Sequence, residues 1–235
     1  MIRKFLAFFL VLNLTACAEL QQVVNQLPQG GGVLTNTDMA SGLRQALDFG
    51  IEKQVSKLTQ TDGFYKNNLV KILLPAELQK VDKGLRDIGL SKLADEGIKA
   101  LNRAAEDAVK EATPIFVNAV KEITFADAKT ILLGNDDAAT QYLNNKTQTA
   151  LYAKFNPVIK NSFGKVGADE IWKNLITKYN AIPFTTDVNP DLTDYVTGEA
   201  LKGVYTMIAV EEKDIRTNLA SRTTDLLKKV FALQD

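Results

Sequence analysis

The sequence has no histidine, and its one cysteine is Cys17. These two absences remove much ordinary chemistry. A Ser-His-Asp triad, a Cys-His pair and a zinc site built on His or Cys cannot be assembled from this chain. A reaction here would have to use Asp, Glu, Lys, Tyr, Ser or Thr, or a metal held by oxygen ligands. Excess charge of either sign is also missing, with 28 basic residues against 28 acidic ones. There is accordingly no basic footprint for nucleic acid and no charged tail. With 46% hydrophobic residues, the composition is that of a chain able to bury a core.

The strongest local signal is at the start. Arg3-Lys4 forms a positive stretch, residues 5–12 (FLAFFLVL) form a short apolar run, and Leu14-Thr15-Ala16-Cys17 follows. Basic residues, apolar run and small residues before a cut, in this order, predict an export signal. The run is far short of the roughly 20 apolar residues a membrane span needs. The Leu-small-small-Cys pattern predicts cleavage after Ala16 and acylation of the Cys17 thiol. Residues 1–16 are thus expected to be a lipoprotein signal peptide. Each buried CH₂ contributes about 0.8 kcal/mol, so two or three acyl chains would hold the protein on a membrane. Ala18 stands where the inner-membrane retention signal has Asp, which points to the periplasmic face of the outer membrane.

Residues 17–37 read as the lipidated N-terminus and a flexible tether, rich in Gln and Asn and containing Pro28 and Gly30-Gly31-Gly32. About 20 such residues reach roughly 25 Å. Residues 38–235 then read as a single all-α, multi-helix domain. Asp38 is placed to cap a helix to about Leu58, Asp62-Gly63 marks a turn, and Pro75 opens a helix over 76–88. Ile98, Leu101, Ala105, Ala108, Ala112, Ile115, Ala119 and Ile123 form one apolar stripe along 92–123, with a kink expected at Pro114. Thr124 and Asp127 fit a capping box for a short helix ending at Gly134. Asp136 or Asp137 is expected to cap a helix that stops at about Phe155, before Pro157. Helices are further expected over 168–180, from Asn189-Pro190-Asp191 to about Asn218, and from a Thr223 cap to Phe231. Asp187, Asn189 and Asp191 imitate the start of a calcium loop. Leu192 and Gly198 stand where that loop needs Gly and Glu, so a helix start is the expectation.

Polar residues on apolar stripes are the remaining candidates. Asn102, Arg103 and Glu106 lie on one helix, Lys146 falls among Tyr142, Leu143 and Ala150, and Glu211, Glu212 and Arg216 interrupt another stripe. Turned toward a common core they must pair, because an unpaired buried charge is costly. They are expected to form either a polar ligand cavity, with Glu106, Lys146, Glu212 and Arg216 meeting, or a set of structural pairs. No catalytic signature and no cofactor is indicated. The first expectation is a non-catalytic binding or interaction module, with an envelope protein as partner and the membrane reached through Cys17. The alternative is a ligand carrier or enzyme using the Glu/Lys/Arg set.

Several motifs occur together and in order: Asp62-Gly63-Phe64, Asn102-Arg103-Ala104-Ala105-Glu106, Asp127-Ala128-Lys129, Ala138-Ala139-Thr140-Gln141-Tyr142, Asp194-Tyr195-Val196 and Arg222-Thr223-Thr224-Asp225-Leu226-Leu227. In them the chain resembles a family of exported Gram-negative proteins known as a domain of unknown function (DUF4197), over roughly residues 38–232. The resemblance implies a single, largely helical domain behind a signal peptide, and no particular reaction, cofactor or partner. Its polar positions fall here on Asn102, Arg103, Glu106, Thr140, Arg216 and Arg222. Leu73 and Leu219 stand where the family pattern has proline.

Overall fold

The computed structural model describes residues 34–87, 89, 91–166, 170, 172–173, 176–177, 180–181 and 191–234. The signal peptide, Cys17, most of the tether, Asn189, Pro190 and much of the expected 168–180 helix lie outside the described residues; the helix expected to start at Asn189-Pro190-Asp191 begins only at Thr193, where the Asp191 carboxylate accepts from the Thr193 N–H. Among those described there are eight α-helices and no strand: α1 (Asn36–Leu58), α2 (Ala76–Asp87), α3 (Ser91–Val109), α4 (Ala112–Lys121), α5 (Phe125–Leu132), α6 (Ala138–Val166), α7 (Thr193–Thr217) and α8 (Asp225–Phe231). Short 3-10 turns follow α7 and α8, at Leu219–Ser221 and Ala232–Gln234. The all-α expectation holds. None of the described helices is long and apolar enough to cross a membrane.

The chain begins α1 with a capping box. The Thr35 hydroxyl accepts from the Asp38 N–H, and the Asp38 carboxylate accepts from the Thr35 N–H. The cap is therefore Thr35, with the expected Asp38 completing it from the third helical position. Lys229 of α8 also reaches Asp38, at 2.9 Å. The Thr35 backbone bond, then Lys229, bring the Asp38 carboxyl down to about 2. A depressed carboxylate contributes stability above its unfolded value near 4, and that contribution is lost as pH falls through the folded value. Protection of the amides at the start of α1, taken relative to their intrinsic exchange rates at each pH, should accordingly fall between pH 4 and 2. In Asp38→Asn that protection should be flat across the window; an equal fall in Asp38→Asn would assign the effect elsewhere.

Two expected helix boundaries move for identifiable reasons. The 92–123 stripe is split at Lys110-Glu111, where tight bonds run from the Lys110 N–H to Asp107 and from the Glu111 N–H to Ala108. Pro114 falls in the first turn of α4, where its missing N–H has no intrahelical acceptor to lose, so the helix restarts there instead of kinking. Conversely, α6 runs straight through Pro157 to Val166. Ala153 and Pro157 are both exposed, so water can serve the carbonyl that proline leaves unbonded, while Leu151, Phe155, Ile159 and Phe163 stay buried on the other side. The Thr124–Asp127 capping box forms as expected. The last helix is capped by Thr224, one residue beyond the expected Thr223.

The long helices α6 and α7 lie against each other, with α3 packed on both and α4 on α6. On the other side of α7, α1 carries α4, α5 and α8. Tyr205 of α7 sits edge-on to Phe116 of α4, and its hydroxyl meets that of Thr147 on α6 at 2.8 Å. Of the other tyrosines, Tyr152 is exposed with its hydroxyl on Asp194, and Tyr195 is partly buried and donates to the Leu73 carbonyl. Gly42 admits α8: a Cβ there would stand 2.5 Å from Val230 Cγ2.

Candidate functional site

The polar residues chosen from sequence fall into two buried networks and one surface position. The first network belongs to α3. Asn102 is fully buried and clamps the backbone of Ile72 from both sides: its Oδ1 accepts from the Ile72 N–H and its Nδ2 donates to the Ile72 carbonyl, each at 2.8 Å. One turn on, Glu106 Oε1 accepts from the Phe64 N–H at 3.1 Å and the Tyr65 N–H at 3.4 Å. Arg103 joins the other Glu106 oxygen to Asp62. Lys66 and then, against desolvation, Arg103 hold the Asp62 carboxyl below the usual range.

All of these bonds hold one object, the 59–75 connection between α1 and α2. It exceeds the roughly 12–15 residues at which loops without regular structure become uncommon in compact domains. The residues that bend it are readable. Asp62 adopts a φ of 72°, and Gly63 packs so tightly on the end of α1 that a Cβ would stand 2.5 Å from the Leu58 and Lys57 carbonyls. Phe64 is buried and lies on Gly203 of α7, where a Cβ would come within 2.7 Å of its ring. Asn67 accepts from the Leu69 N–H and closes the next turn. Held in this way, the loop turns Leu69 (64% exposed) and Leu73 (55%) to solvent. Beside them Lys71 lies over the Tyr65 ring, 4.6 Å from its centre.

The second network is centred on α7. Glu212 accepts from the Ala139 and Thr140 N–H groups and from the Thr140 hydroxyl, each at 2.8 Å. It therefore caps the start of α6 from a different helix. Arg216 pairs with Glu212 at 2.8 Å and donates to the carbonyls of Ile131 and Leu132 at the end of α5. A carboxylate at a helix N-terminus and a guanidinium at a C-terminus both match the helix dipole. Arg222, 1% exposed, does the same for α7, donating to the Ile215 and Arg216 carbonyls. Glu211 faces the other way, to Lys53 and Gln54 of α1. Lys146 is exposed, its ammonium 5.6 Å from the centre of the Tyr142 ring.

Glu106, Lys146, Glu212 and Arg216 therefore do not meet around one cavity. The void beside Glu212 and Arg216 is about 20 Å³, room for one water and well below the several hundred Å³ of a ligand pocket. A larger cavity of about 330 Å³, between Lys160, Phe163, Trp172, Lys173 and Thr193, contains none of the chosen residues. Sequence reasoning found the buried clamps but missed what they hold. The signal for the loop was the 17-residue gap between helices, 59–75, which contains the Asp62-Gly63 turn and a stretch, Leu69 to Leu74, that is apolar except for Lys71.

The motif positions thus act mainly within the fold. The Asp62-Gly63-Phe64 motif is the loop that the Asn102–Glu106 motif grips, and Ala139-Thr140 receives Glu212. No curated protein and no solved structure shows significant similarity to the chain. A family match does extend over residues 33–232, and on it the chain belongs to the family described as "Protein of unknown function (DUF4197)".

Proposed function

We propose that the protein is a lipid-anchored module of the cell envelope, held through Cys17 at the periplasmic face of the outer membrane, which binds another envelope protein without chemical change. The 59–75 loop is its recognition element. One observation carries this reading: a long irregular loop is fixed by buried side chains of α3 and yet presents two leucines to solvent. A loop fixed before binding loses little conformational entropy when a partner arrives, so modest apolar contact yields useful affinity. The flanking Lys66 and Lys71 form a polar rim around an apolar centre, the usual anatomy of a binding surface.

The test is in-cell photo-crosslinking from a photoreactive residue at Leu73, with one at exposed Lys99 as control. One envelope protein captured from Leu73 and not from Lys99 is expected. Cys17→Ser should abolish acyl labelling, release the protein from membranes and reduce that capture. Equal capture from both positions would remove the loop from the reading, and continued acyl labelling of Cys17→Ser would remove the anchor.

A further inference from the structure

A trough runs along the seam between α1 and α7. At one end Leu69, Met207 and Val210 line a groove of about 430 Å³. At the other, Phe49, Ile215 and Leu227 line one of about 690 Å³. Lys53 and Glu211 border both, so the two grooves adjoin at this pair. Phe49 (47% exposed) and Val210 (45%) lie in the trough and, like Leu69, show large apolar area to water. Its charges already balance. Lys53, Lys57 and Lys213 stand against Glu52, Glu211 and Asp214, and Lys53 is bonded to Glu211 at 2.6 Å. A strongly charged occupant of either sign gains nothing there, whereas an uncharged, partly apolar one fits.

The chain ahead of α1 supplies such a segment. Leu20, Val23, Val24 and Leu27 are spaced i, i+3, i+4, i+7, with only Gln and Asn between them, and no charged residue occurs from Leu20 to Thr37. This spacing places the four on one side of a helix. At 1.5 Å per residue, Leu20 to Leu27 would span about 10 Å, and Phe49 to Lys57 of α1 spans about 12 Å. The reach also agrees. Phe49 lies roughly 20 Å along α1 from Asn36, and residues 28–33 extended cover about 20 Å. Pro28 and Gly30-Gly31-Gly32 disfavour continuing a helix beyond Leu27, as an extended connection requires.

We propose that residues 20–27 dock in this trough, antiparallel to α1, with the Leu20, Val23, Val24 and Leu27 side chains against Phe49, Val210 and Leu69. Docking draws Cys17 toward the body of the domain, and release lengthens the connection to it. This docking does not rest on the function proposed above.

The test uses the full chain made in bacteria, with a photoreactive residue at Val24, on the apolar side of the segment, or at Gln22, off it. Mass spectrometry then maps the links within the chain, and mixed isotope labelling separates these from links between copies. From Val24 the expected links fall in the peptides containing Lys53 to Lys57 or Met207 to Val210, at least tenfold above those from Gln22. Leu69→Asp with Val210→Asp changes only exposed positions and should remove them. Links scattered alike from both probes, links only to other molecules, or links that survive the double substitution would each overturn the proposal. A failed capture from Leu73 leaves this intrachain result unaffected, so the two ideas stand or fall separately.

Discussion

Glu212→Ala should lower stability by about 3–5 kcal/mol, the usual cost of leaving one charge of a buried pair without its partner. The carboxylate meets four groups at once: two backbone N–H groups and the hydroxyl at the start of α6, and the Arg216 guanidinium. Its loss leaves all four without that acceptor in a region with room for a single water. For a domain of this size, each kcal/mol moves the melting temperature by roughly 2–4 °C, so a fall on the order of 10 °C is expected. Glu212→Met with Arg216→Met removes both charges. It should cost less than the sum of the two single changes, with a coupling above about 1 kcal/mol. Calorimetry of the wild type, Glu212→Ala, the two single methionine variants and the double variant settles the point. A loss below about 1 kcal/mol for Glu212→Ala, or strict additivity, would show that the pair does not join α5, α6 and α7 as described.

The second large effect is expected at Glu106, and it is local before it is global. Glu106→Ala removes the acceptor for the Phe64 and Tyr65 N–H groups and leaves Arg103 with Asp62 alone, a cost of about 2–4 kcal/mol. Glu106→Gln keeps a carbonyl oxygen for the two N–H groups and gives up only the charge, so about half that loss is expected. Hydrogen exchange separates a clamp from a general stabiliser. In Glu106→Ala, amides of residues 64–72 should exchange at least tenfold faster while those of the α6–α7 core hold, because local opening needs less free energy than global unfolding. Uniform acceleration across the domain would mean that the loop is not held separately. If the loop is the recognition element, capture from Leu73 falls in parallel with its protection.

These two residues also show how far the sequence could be read. Glu106 and Glu212 were identified because each interrupts an apolar stripe, and a charge on a buried face has to be compensated. Periodicity carries no information about the compensating group. Here it is backbone: a loop about forty residues away for Glu106 and a helix start about seventy away for Glu212. Where the partner is close in sequence, the reading succeeded, as at the Thr124–Asp127 capping box. The breaks at Lys110-Glu111 and the passage through Pro157 were misread for a related reason. Tertiary packing decides whether a proline's missing bond faces solvent or falls in a first turn, and local propensity does not. Leu69 and Leu73 escaped notice because an exposed leucine is invisible in a pattern search that assigns every leucine to a core.

The packing of α8 on α1 has a consequence in time. Val230 fills the space left by Gly42, Lys229 reaches Asp38, and Leu227, Val230 and Phe231 are buried. The first helix of the domain is thus completed by a helix about 190 residues further along the chain. Until α8 has been made, α1 lacks this packing, so the domain closes late in its own synthesis and not element by element.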